Sequence, residues 1–135
     1  MGLPRRGDDR GVSAIELAVI GPSLLLLIFF VIQIALYQYA RSVALQTARD
    51  AVSQLRLAKD RPAYDGMTAR VHGQSLTFAQ QVGSGALTGV DERPSYYQDH
   101  VLVRVTGHSI SLVPGLSIGV SEQATGRWER FEDDR

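Results

Sequence analysis

The sequence predicts an α+β fold: a long N-terminal helix that crosses a membrane and continues as a stalk, a second shorter helix, and a small three-stranded antiparallel sheet. Three observations predict it. From Leu17 to Ile32 no residue is charged and the only polar side chain is that of Ser23, the composition of a membrane span. From Tyr39 to Ala58, Ala40, Val43, Ala44, Thr47, Ala51, Leu55 and Ala58 recur at three- and four-residue steps, as in a helix with one buried face. From His100 to His108 the chain alternates, with Val101, Val103 and Val105 on one side, as in a half-buried strand.

Taking the first helix in detail, extending the apolar run through Tyr39 adds only Gln33 and Gln38. At about 1.5 Å rise per residue, residues 17–39 can cross the ~30 Å hydrocarbon layer. A buried helix of a soluble domain is the alternative, but the rest of the 135-residue chain is too small to surround it. A cleaved secretory peptide fits poorly, because the apolar region exceeds an h-region and no Ala-x-Ala site follows it. Pro22, after Gly21, removes one backbone hydrogen bond and is expected to kink the span. Tyr37 and Tyr39 fall where an interfacial aromatic belt belongs. Arg5, Arg6 and Arg10 precede the span, whereas Arg41, Arg49, Arg56 and Lys59 follow it, so the distribution of positive charge does not by itself orient the helix.

One acid, Glu16, stands at the start of this run. A simple reading makes it an interfacial residue in the first turn of the span, where the helix dipole favours an anion and a charge costs far less than at the bilayer centre. A second reading uses the spacing. Gly11 is followed by four residues, then Glu16, then the apolar run, and "MGLPRRGDDRG" precedes it. This resembles the leader of type IV pilin-like (class III) precursors. The resemblance implies that a prepilin-type peptidase cuts between Gly11 and Val12, and that Glu16 becomes the fifth residue of the mature chain. A free amine on Val12 of one subunit would then pair with the Glu16 carboxylate of another, satisfying two charges that lipid disfavours.

Beyond the membrane, the absence of Gly and Pro from 39–58 continues the first helix, which is expected over 12–58. "KDRPAYDG" supplies the break. Residues 67–82 predict the second helix, with Val71, Leu76, Ala79 and Val82 facing the first, and "GSG" at 83–85 ends it. Strands are expected at 86–94, 100–108 and 117–131, with "SYYQD" and "SLVPGL" as the turns. The organisation is thus a basic leader over 1–11, a span and stalk over 12–58, and a small α+β domain over 59–135, ending in a solvated "FEDDR".

Composition narrows the function. Formal net charge is zero, which provides no electrostatic reason for nucleic acid as a partner. The chain has no cysteine, which excludes disulfides, thiolate metal sites, a cysteine nucleophile and a lipidated cysteine. Met-Gly opens the sequence, but Arg6 stands where a myristoylation motif has Ser or Thr. His72, His100 and His108 lack the spacing of a helical metal site, and Asp91, Glu92 and Asp99 read as solvated turn acids. No phosphate loop, dinucleotide fingerprint or nucleophile elbow is present. The residues thus predict no catalytic site, no cofactor, no metal and no enzyme.

The pieces together resemble the TadE-like family of pseudopilins, small membrane proteins of tight-adherence pilus systems. The strongest part is "RGVSAIELAVIGPSLLLLIFF", with Glu16 six residues before Pro22. "YARSVALQTARDAV" is similar to the family's stretch after the span, and "LVPGLSIGVSEQATGRWER" to its C-terminal pattern. The sequence departs from the family at Leu17, where an aromatic residue is common, and at "ARDAV". The resemblance implies a cytoplasmic leader, an extracytoplasmic C-terminal domain, a single-pass location in the cell membrane, and three kinds of partner: the lipid bilayer, a prepilin-type peptidase, and other pilins with their assembly machinery. The alternative class is an uncleaved, signal-anchored protein with an exported binding domain.

Overall fold

The computed structural model describes residues 9–58 and 60–128, and of residues 9–13 the backbone alone. Most of the expected leader and the terminal "FEDDR" lie outside the described residues. The chain forms helix α1 (Asp9–Leu55), helix α2 (Arg61–Gly83) and strands β1 (Leu87–Tyr96), β2 (His100–Ser109) and β3 (Ile118–Arg127), the expected α+β architecture. It divides into two compact units, one ending at Ile34 and one running from Ala35 to Arg135. The boundary falls inside α1.

The first unit is the apolar part of α1. Its large side chains lie exposed, from Ile15 and Leu17 through Phe29, Phe30 and Ile34. α1 is the one helix among the described residues that is long and apolar enough to cross a membrane. The expected span, 17–39, overlaps the second unit by its last five positions. Residues 17–34 alone still provide about 27 Å of helix at ~1.5 Å per residue, close to the hydrocarbon thickness.

In the second unit, the buried face of α1 is Ala40, Val43, Ala44, Thr47, Ala48, Ala51, Val52 and Leu55. These positions step by three and four, so they form one stripe. The Thr47 hydroxyl is satisfied inside it by donating to the Val43 carbonyl at 2.8 Å. α1 ends at Leu55, three residues earlier than expected. Leu57 and Ala58 then bond back three residues, to Gln54 and Leu55, the tightened turn common at helix ends.

α2 starts six residues before the expected position. "DRPAYDG" is a helix start rather than a break. The Asp60 side chain accepts from the Ala63 N–H at 2.8 Å, and Pro62 sits in the first turn, where its missing N–H has no intrahelical partner to lose. α2 turns Tyr64, Val71, Ser75, Ala79 and Gly83 inward; Leu76 and Val82, expected on this face, are half-buried. Ser84 in the left-handed conformation ends the helix.

The sheet is a meander in the order β1-β2-β3, antiparallel throughout. β2 is central, and Val101, Val103 and Val105 are fully buried. At about 1.5–3 kcal/mol for each such side chain, this strand is a principal source of stability. The opposite face is polar, with Arg93, Arg104, Gln123 and Arg127 exposed. β1 extends to Tyr96, so "SY" of the expected turn belongs to the strand. Between Thr88 and Asp91 the register shifts, and Gly89 there has φ 59°, a conformation suited to glycine at a bulge. The bulge reverses the alternation: Leu87 points inward, and so do Val90, Glu92 and Tyr96 rather than Asp91 and Arg93.

Glu92 is the clear departure from expectation. It is not a solvated turn acid but is 4% exposed, inside β1, and both carboxylate oxygens lack a hydrogen-bond partner. Burial pushes its carboxyl above the usual range; the Ser75 hydroxyl and His72 oppose the shift, and Asp50 and Asp91 reinforce it. Ser75 lies near enough to favour the ionised form without closing a bond that meets normal geometry.

Aromatic rings close the far end of the domain. Tyr64, Tyr96 and Trp128 meet with centroids 4.9–5.8 Å apart, Arg61 lies over the Tyr96 ring, and the Trp128 indole N–H donates to the Tyr97 carbonyl at 2.9 Å.

Two predictions follow from this packing. A Cβ at Gly126 would lie 2.5 Å from Val52 Cγ1, so Gly126→Ala should cost about 1–3 kcal/mol by overpacking. Gly119→Ala, where nothing lies within 4 Å, should be close to neutral in the same thermal unfolding measurement. Glu92 binds its proton more tightly folded than unfolded, so its contribution to stability should be greatest below the unfolded pKa and be lost as pH rises through the raised folded value. Glu92→Gln should flatten the pH dependence in that window and raise the unfolding midpoint at neutral pH; an unchanged pH profile would show that Glu92 is not the group responsible.

Candidate functional site

The residues singled out by sequence gather at the N-terminal end of α1. Gly11 and Val12 lie within its helical backbone, and their side chains are outside the described residues. Glu16 follows Val12 by four residues, about one turn or ~6 Å of rise. It is exposed on the helix surface, and Ile15, Leu17, Val19 and Ile20 around it are each more than half exposed. A carboxylate in such a collar has no water when the collar is covered by lipid or protein, and a cation then becomes its most effective partner.

Pro22 sits in the interior of α1. It cannot donate to the carbonyl four residues back, that of Ala18. The next residue, Ser23, donates its hydroxyl to the Val19 carbonyl at 3.1 Å. This satisfies the serine in an apolar setting.

In the second unit the polar groups are dispersed. Arg41 on α1 pairs with Glu122 on β3, and that hydrogen bond and charge raise the guanidinium pKa still further. Asp99 and His100 pair at the β1–β2 turn, and the imidazole contact lowers the Asp99 carboxyl. His100 and His108 stand at opposite ends of β2 and His72 on α2. With about 3.4 Å per strand residue, the first two are more than 20 Å apart. Among the described residues no three His, Cys, Asp or Glu side chains converge on a point that could hold a metal ion.

Sequence reasoning missed the Arg41–Glu122 pair and the burial of Glu92. The first joins residues 81 positions apart, for which no local pattern exists. The second follows from the bulge, whose signal was Gly89 inside a strand-like run.

Two residues expected at the membrane interface have additional partners. Tyr37 packs against the core of the second unit, and the Tyr39 hydroxyl donates to the Val82 carbonyl at 2.6 Å. Both therefore belong to the packing of the α+β unit.

The family model described as TadE-like protein matches residues 11–53. Comparison with curated proteins and with solved structures finds no significant match. The family match covers Gly11, Glu16, Pro22 and nearly all of the small-residue stripe, and stops before α2 and the sheet, so the C-terminal pattern from Leu112 to Arg130 lies outside it. Residues 11–53 are similar to the TadE-like family, and they comprise the apolar part of α1 together with most of the stripe on which the α+β unit is packed.

Proposed function

We propose that this chain is a pilin-like membrane protein, a pseudopilin, that takes part in assembling a tight-adherence or related type IV-like pilus or secretion apparatus. It is a structural component and not an enzyme. The single observation that carries the reading is the TadE-like match lying on a helix whose apolar side chains are exposed, with Glu16 one turn beyond Gly11–Val12. Exposed apolar surface of this extent requires lipid or a partner helix to cover it.

In this reading the leader side is cytoplasmic and the α+β unit extracytoplasmic, the apolar part of α1 crosses the cell membrane once, and Pro22 kinks it. A prepilin-type peptidase hydrolyses the Gly11–Val12 bond: water adds, Gly11 keeps the carboxylate, and Val12 leaves as the amine. An α-amino group with pKa near 7.7–8.0 is largely protonated at pH 7, so each subunit then carries an ammonium and the Glu16 carboxylate at similar depth. Pairing across subunits removes both from lipid, and other pilins follow as partners.

Mature chains should therefore begin "VSAIEL" when N-terminally sequenced from membranes, and Gly11→Arg should leave the leader attached because a bulky cation replaces the small residue at the cut. Intact leader on every wild-type chain would favour the uncleaved, signal-anchored alternative. Glu16→Ala should still fractionate with membranes, since alanine favours the helix. It should weaken co-purification with partner pilins by about 3–5 kcal/mol, on the order of a hundred- to several-thousand-fold, if the charge pair is buried. Unchanged co-purification would reduce Glu16 to an interfacial anchor.

A further inference from the structure

The β2–β3 connection is the second apolar surface of this chain. From Ser109 to Ser121 no residue is charged. Within it Ile110, Leu112, Val113 and Leu116 are 44–55% exposed. Solvated loops are usually polar, and four large apolar side chains within seven residues form a patch rather than scattered exposure.

Part of the backbone of this loop is bonded within the unit. Val113-Pro114-Gly115-Leu116 is a tight turn, with Leu116 N–H donating to the Val113 carbonyl at 3.2 Å and Gly115 at φ 80°, as a type II turn requires. The Ser111 hydroxyl accepts from the Val113 N–H at 3.1 Å and lies 3.2 Å from the Val113 carbonyl. Pro114 has no N–H to satisfy. A formed turn carrying outward apolar side chains suits the interfacial layer of a bilayer, where backbone groups without a protein partner still meet water and headgroups.

Its place in the α+β unit identifies that layer. Ser109 pairs with Leu87 and with Ile118, and the Ile110 N–H donates to the Ala86 carbonyl. Gly83 adjoins both Val43 of α1 and Leu87 of β1, the Tyr39 hydroxyl reaches Val82, and Arg41 reaches Glu122. At the other end of the sheet, Gly126 is against Val52 and Arg56. The loop therefore lies at the same end of the unit as Tyr39 and Val43, while Trp128 and the aromatic cluster lie at the other end.

We propose that the 110–116 loop is a second membrane contact, its apolar side chains inserted in the interfacial layer of the bilayer beside the emerging α1. This rests on the reading that the residues before Ala35 span a bilayer. Two attachment points, one spanning and one interfacial, restrict the tilt of the α+β unit on the membrane surface before it meets other subunits. The turn that presents these side chains is already formed.

The absence of cysteine permits single-site labelling of the full chain in lipid vesicles. An environment-insensitive fluorophore is placed by Val113→Cys, by Arg104→Cys on the polar sheet face, or by Phe29→Cys in the span, and quenched by lipids carrying a nitroxide near the headgroup or along the acyl chain. The expected result is strong acyl-chain quenching at position 29, and headgroup-level quenching at position 113 several-fold above that at position 104. Adding Leu116→Asp to the Val113→Cys chain should bring position 113 down towards the level of position 104, with Trp128 emission reporting that the domain remains folded. Quenching at 29 with none above background at 113 overturns this proposal and leaves the membrane span intact. Protection of 113 from an aqueous quencher without quenching by lipid also overturns it, since a protein surface would then cover the loop. Absence of quenching at 29 removes the span and this proposal together.

Discussion

The stripe of small and apolar residues on the second half of α1 is the surface on which the α+β unit is assembled. A three-stranded meander with one apolar face and a helix with one apolar face cannot each bury that face alone. α1 supplies the common wall. Alanine at 40, 44, 48 and 51 keeps that wall low, and the partners approach closely: Gly126 of β3 lies against Val52, and Gly83 of α2 against Val43. Larger side chains on either side would hold the layers apart and open gaps that the short strands could not fill. The exposed Arg41–Glu122 pair crosses the same interface, but an ion pair in contact with solvent is a minor term beside this burial.

The same wall has consequences for the sheet. For β1 to place Val90 and Tyr96 against the helices while Leu87 remains inward beneath Gly83, the strand must change parity once. The bulge at Gly89 does this, and Gly107 opposite accommodates it, since a Cβ there would meet Leu87 Cδ1 at 2.9 Å and the Thr88 carbonyl at 3.0 Å. Glu92 is carried inward with its neighbours. A buried carboxyl with no hydrogen-bond partner is costly when charged, which makes the proton on Glu92 part of the folded state's energetics and couples β1 to Ser75 and His72 on α2.

The apolar half of α1 follows another logic. Its large side chains are exposed, and such a surface is completed by lipid or a neighbouring helix. Polar groups are confined to positions with a specific outlet: Ser23 donates within the helix, and Glu16 stands near the end of the run. Where such a helix packs against another, polar groups are the features that distinguish one lateral arrangement from another, because apolar side chains alone discriminate weakly between lipid and protein.

Local patterns in the sequence were sufficient for the elements. The uncharged run from Leu17 to Ile32 and the stripe from Ala40 to Leu55 both belong to α1, and the alternation around Val103 to β2, so that helix and that strand were legible together with the α+β class. So was the grouping of Gly11, Val12, Glu16 and Pro22, because it lies along one continuous helix where spacing in sequence is spacing in space. What depended on tertiary structure was whatever joins distant segments or breaks a period. "DRPAYDG" became a helix start because Asp60 caps α2 in the folded chain. Glu92 became buried because a single inserted residue reversed the faces of β1. Arg41 found Glu122, and the apolar loop after Ser109 came to the end of the unit that also holds Tyr39, through strand pairing that no neighbouring residues encode. A periodic pattern specifies which face of an element is apolar; only packing specifies what that face meets, and which side chains are brought along with it.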